Sequence, residues 1–129
     1  MSNNRFDEWL DFAYGDWLSA KHLHDTMHPP RYEVICYLCQ QSAEKYLKGY
    51  LIFCGNDEPP KTHNLSRLCV LCSEHSTKFN DILKICDFLT AFAVQSRYPD
   101  EIYIDKDITE KAIDYAGKIK DFVTNIVNE

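Results

Sequence analysis

The sequence predicts an all-α fold, a five-helix, largely up-and-down bundle, and three observations lead there. Apolar residues recur at three- and four-residue steps through most of the chain. Proline and turn-forming clusters interrupt that pattern at intervals, and no stretch alternates convincingly as a strand does. With 129 residues, 45% of them hydrophobic and 13% aromatic, the chain can bury one sizeable core but not two. Residues 1–129 are therefore expected to form a single domain.

The first helix is expected over residues 6–27, where Phe6, Trp9, Leu10, Ala13, Trp17 and Ala20 lie on one stripe that His24 continues. His28-Pro29-Pro30 stops it, since proline removes a backbone donor and restricts the residue before it. A second helix is expected from about Arg31 to Cys54. Turn chemistry fills residues 55–60, and Gly55 stands where a helix C-terminal glycine belongs. Leu65, Leu68, Cys69 and Cys72 mark a short third helix ending near Glu74 or His75. A fourth is expected from Phe79, carrying Ile82, Leu83, Cys86, Leu89 and Ala93, with Pro99 forcing its end and Arg97 in its last turn. After a loop over residues 100–106, Asp107 and Glu110 have the spacing of a capping box. The last helix would bury Ile108, Ala112, Tyr115, Ile119, Phe122 and Ile126 and turn Lys111, Asp114, Lys118 and Asp121 to water. Ile102-Tyr103-Ile104 is the one segment with a brief extended character.

A formal net charge of −6 argues against a broad basic face, so any contact with nucleic acid is expected to be focal. The opening residues lack a basic stretch followed by an apolar run, and no segment has the uninterrupted apolar length a bilayer demands. The expected location is the cytoplasm, with no membrane partner. The six cysteines are then expected as free thiols.

Cys36-x-x-Cys39 with Cys69-x-x-Cys72 imitates a four-thiolate zinc site on spacing alone. Both pairs, however, lie inside helical patterns. Cys36, Cys39 and Cys54 project with Leu38, Ala43, Leu47 and Tyr50, and Cys69 and Cys72 project with Leu65 and Leu68. Small buried apolar residues are the better reading, with no metal and no cofactor expected.

On the second helix Glu33, Tyr37, Gln40, Gln41, Glu44 and Lys48 form a polar arc opposite that stripe. Glu44 and Lys48 are four apart, which predicts a surface ion pair. The alternative is that Gln40, Gln41 and Lys48 line a pocket or an interface, because neighbouring amides supply donors and acceptors together. His63, in Lys61-Thr62-His63-Asn64, is placed to cap or orient the third helix, whose N-terminus favours anions. Arg97, in Ser96-Arg97-Tyr98-Pro99, sits where a guanidinium needs an internal partner or a shared cavity.

Three segments in this order, residues 40–48 (QQSAEKYLK), residues 62–65 (THNL) after a proline-containing loop, and residues 93–99 (AVQSRYP), resemble the HEPN domain family. The resemblance covers nearly the whole chain. It implies a five-helix bundle that commonly forms a homodimer, often beside a minimal nucleotidyltransferase in a toxin-antitoxin or related pair. Many members are metal-independent ribonucleases that use an Arg followed, after four to six residues, by a His. None of Arg5, Arg31, Arg67 or Arg97 has a His at that distance, Arg67 with His75 being the nearest miss. Binding of a nucleotide or RNA is accordingly favoured over turnover, through Gln41, Lys48, His63, Arg97 and Tyr98. Two alternatives stand beside it. One is a ribonuclease in which His63 serves as base or acid while Arg97 stabilises the phosphorane; the other is a helical adaptor with no ligand.

Overall fold

The structure, a computed structural model, describes residues 4–94 and 103–129. Five α-helices form a bundle, and the described residues contain no strand, in keeping with the all-α expectation. They are α1 (Asn4–Thr26), α2 (Tyr32–Phe53), α3 (Leu65–Ser73), α4 (Leu83–Thr90) and α5 (Lys106–Val127), with a 3-10 helix, Thr77–Ile82, leading into α4. Helix α2 is the hub, since it packs on each of the other four.

Contacts fix the directions. Arg5 at the start of α1 donates to the Asp57 carbonyl just past the end of α2, and the Ser42 hydroxyl donates to the Ala13 carbonyl at 2.7 Å, so α1 and α2 run antiparallel. The two helices meet closely at Gly49, where a Cβ would stand 3.1 Å from Leu10 Cδ1 and 3.2 Å from Trp9 Cβ. Glycine is what lets the axes approach there. Near the start of α5, Thr109 accepts a bond from the Cys36 thiol, while farther along Phe79 bridges Tyr50 and Phe122 with ring centroids 4.5 and 4.8 Å away. Helices α2 and α5 therefore run side by side in one direction.

The chain leaves α2 through a Schellman turn. Asn56 N–H donates to the Leu51 carbonyl and Gly55 N–H to that of Ile52, with Gly55 at φ +103°, a conformation that side chains resist. The segment that follows returns along α2 and delivers His63 beside Glu44, where α3 begins in the direction of α2. This return departs from a strict up-and-down order. Asn64 caps α3 by accepting from Arg67 N–H, and the Leu65 N–H is taken by the Thr90 hydroxyl at the end of α4.

Three local expectations need correction. The fourth helix starts at Leu83 after the 3-10 segment and ends at Thr90, whose hydroxyl donates back to the Cys86 carbonyl; Phe92 and Ala93 then make tighter i−3 bonds. Such back-bonding from threonine competes with helix continuation. The cap of α5 is Asp105, which accepts from Ile108 N–H at 2.8 Å, and Asp107 is the second residue of the helix. The buried line of α5 runs through Thr109, Ala112, Ala116, Ile119 and Val123, with Ile108, Tyr115, Phe122 and Ile126 along its edges. Lys111, Asp114, Lys118 and Asp121 are exposed, as expected.

The cysteines behave as core residues. Five are buried and Cys54 is half-buried, all as free thiols. Burial pushes the Cys36 thiol up to about 11, and it raises Cys39 and Cys72 as well. The thiolate a zinc ion would need is disfavoured at these three positions.

Asp105→Ala should lower stability by about 1 kcal/mol, whereas Asp107→Ala should cost about half that or less. Urea denaturation of both variants checks the cap assignment, and the reverse order would restore Asp107 as the cap.

Candidate functional site

Helix α2 is buried on most of its circumference, and this changes the reading of its polar arc. Gln40 is fully buried, and the side chains of Glu44 and Lys48 are only 8% and 9% exposed. The expected surface ion pair is thus an internal one. The two-sided helical projection fails here because α3, α4 and the returning loop cover what would otherwise be the solvent face.

Glu44 is the centre of the cluster. The Lys48 ammonium donates to its Oε2 at 2.9 Å, and Gln40 Nε2 donates to its Oε1 at 3.1 Å. His63 Nδ1 lies 2.9 Å from Oε1 and 3.2 Å from Oε2. Burial alone would push the Glu44 carboxyl up. Hydrogen bonds from Lys48, His63 and Gln40, with the Lys48 charge, outweigh burial and hold it below the usual carboxylate range. An ionised carboxylate only accepts, so His63 Nδ1 carries the proton and donates it.

The remaining groups lock the same arrangement. Gln40 Nε2 also donates to the His63 carbonyl at 2.9 Å, and Gln40 Oε1 accepts from Gln41 Nε2 at 2.7 Å. A buried amide with both donors and its acceptor engaged holds one orientation. The ring of His63 is nevertheless 64% exposed. With Nδ1 engaged, Nε2 is the nitrogen left for a ligand.

Of the residues singled out from sequence, the structure brings Gln41, Lys48 and His63 into one cluster through Gln40 and Glu44. Lys48 faces inward and is committed to Glu44. His63 does not cap α3, because Asn64 does. Arg97 and Tyr98 lie outside the described residues. Sequence reasoning missed the central role of Glu44 and of Gln40. The available clue was a glycine-terminated helix followed by a loop long enough to bring His63 back over it.

The HEPN domain sequence model matches residues 6–126. The crystal structure of TT1696 from Thermus thermophilus aligns with a TM-score of 0.80 and 26% identity, over 95% of this chain and 98% of that one. The structure of ST0689, described as an archaeal HEPN homologue, aligns with a TM-score of 0.71 and 28% identity, over 95% and 97%. No curated protein matches the chain.

Lys48→Met removes the cation from a buried pair and should cost about 3 kcal/mol, read by urea denaturation. Adding Glu44→Leu should recover part of that loss; a double variant as unstable as the two single losses summed would contradict a coupled pair. The folded-state value of Glu44 lies below its ordinary 4.5, so its contribution is complete above that pH and lost as pH falls through the lower folded value. Glu44→Gln should therefore flatten the acid limb of the stability profile.

Proposed function

The chain belongs to the HEPN domain family, and from that premise we propose that it is a binding module for a nucleotide or RNA. The observation that carries this reading is the exposed His63 ring, fixed through Nδ1 by a buried carboxylate that Lys48 and Gln40 keep ionised and in place. Orientation of this kind is what a recognition residue needs. His63 and Gln41 are then the contacting groups, while Lys48 contributes through Glu44.

Arg97 and Tyr98 enter the proposal from the family resemblance of their segment. Since Lys48 is neutralised by Glu44, Arg97 would supply the charge that a phosphate requires, and Tyr98 a surface for stacking. The same resemblance supports a homodimer paired with a minimal nucleotidyltransferase, in a toxin-antitoxin-like arrangement in the cytoplasm. Among the described residues, no helix is long and apolar enough to cross a membrane.

One observation favours a second reading. A histidine whose far nitrogen is backed by a carboxylate is also how a general base is held, so His63 with Arg97 would make a metal-independent ribonuclease of unusual composition. The missing Arg-x4–6-His spacing weighs against it.

Calorimetric titration with ATP, GTP and a short single-stranded RNA tests the binding reading. At least one should bind, and His63→Ala and Gln41→Ala should each weaken it by about tenfold, the loss of roughly one good hydrogen bond. Flat traces for all three would overturn it. RNA cleavage in the presence of a chelator, abolished by His63→Ala and by Arg97→Ala, would establish the ribonuclease instead.

A further inference from the structure

Lys21, Lys111, Lys118 and Lys120 share an arrangement that the Glu44 cluster does not use. Each rests its ammonium on an aromatic ring. Lys21 and Lys120 stand 4.9 and 4.7 Å from the Trp17 ring centroid. Lys111 stands 4.8 Å from that of Phe88 and 5.3 Å from that of Tyr115, and Lys118 stands 5.4 Å from that of Tyr115. In a chain of net charge −6, this gathers cations and rings along α5 and its neighbours.

Between α1 and α5 the surface opens into a groove of about 410 Å³, lined by Trp17, Lys21, His24, Gly117, Lys118 and Lys120 together with three carboxylates. The carboxylates are already engaged. Asp114 is 3.3 Å from Lys118, Asp121 is 2.6 Å from Lys120, and Glu110 is 3.4 Å from His24 Nε2. Among the described residues Lys21 has no acidic partner within ion-pair distance. The volume lies within the range of small-molecule pockets, about 300–1,000 Å³.

Trp17 is held ready. Its indole N–H donates to the Ile113 carbonyl at 3.2 Å, and its ring edge lies against Gly117, where an added Cβ would come within 3.4 Å. A hydrogen-bonded indole packed on a glycine keeps its plane without help from a ligand. His24 adds a second feature. With Nε2 turned to Glu110, its Nδ1 is buried and has no partner, the one such side-chain atom among the described residues. A buried polar atom left unpaired is uncommon in a folded protein.

We propose that the α1–α5 groove binds a small anion bearing a flat aromatic ring. The ring lies on the Trp17 indole in place of the Lys21 ammonium, and the displaced Lys21 turns to the anionic group while Lys120 stays with Asp121. Stacking and charge pairing are both needed, so neither half of the ligand binds well alone. This site shares no residue with the Glu44 cluster and does not rest on the reading given to it.

The test follows the two tryptophan indole N–H signals by NMR, assigned with Trp9→Phe. Titrants are adenosine monophosphate and 1-naphthoate as aromatic anions, with adenosine and inorganic phosphate as the separate halves. At least one aromatic anion should shift the Trp17 signal saturably, at a concentration about tenfold below either half, and which of the two responds separates a phosphate ester from a carboxylate. The Lys21→Gln variant should need about tenfold more of that anion while keeping its melting temperature. A Trp17 signal unmoved by both anions, a response to adenosine of equal strength, or a Lys21→Gln variant that binds as well as the wild type would each overturn the proposal.

Discussion

A carboxylate placed in the middle of a helix that four other helices cover has lost most of its water, and such a group survives ionised only with several donors at hand. Glu44 has three, from Lys48, Gln40 and His63. Each comes from a position that other parts of the fold must supply. Lys48 and Gln40 are one turn either side on the same helix, so α2 has to be intact through that stretch. His63 arrives from a different segment. Its placement depends on the Schellman turn at Gly55, on the return of the chain along α2, and on Asn64 starting α3 at the right point.

The consequence for function is a division of labour. Lys48, which by residue type alone invites a role in phosphate binding, is spent on keeping Glu44 ionised. The exposed chemistry of the cluster is then mostly neutral: one imidazole nitrogen and the amide of Gln41. On the other side of the bundle, Lys21, Lys111, Lys118 and Lys120 lie over Trp17, Phe88 and Tyr115.

Much of the fold was legible from periodicity because α1, α3 and α5 each have a wet side and a dry side. The stripes through Ala13 and Ala20, through Leu68 and Cys72, and through Ala112 and Ile119 are visible without coordinates. Helix α2 was harder, since burial nearly all round removes the contrast on which amphipathic reading relies. Glu44 and Lys48 therefore looked like a surface pair. Loop geometry was hidden for a different reason: the cap at Asp105 and the early stop at Thr90 are decided by hydrogen bonds that periodicity does not register, as when the Leu65 N–H donates to the Thr90 hydroxyl oxygen. HEPN membership was legible from three ordered segments, although what those segments do for one another was not. QQSAEKYLK and THNL, far apart in sequence, are two halves of one cluster joined at Glu44 and His63.

The central claim is that buried Glu44 fixes His63 with its proton on Nδ1 and Nε2 left for a ligand. Long-range ¹H–¹⁵N correlation of the His63 ring at a pH where it is neutral reads this directly. The account predicts a dominant Nδ1–H form in the wild type, opposite to the preference of free histidine, that disappears in the Glu44→Leu, Lys48→Met double variant, where position 44 has no acceptor, while the protein stays folded. A wild-type ring showing the Nε2–H form, or the same tautomer with and without the Glu44 carboxylate, would contradict it.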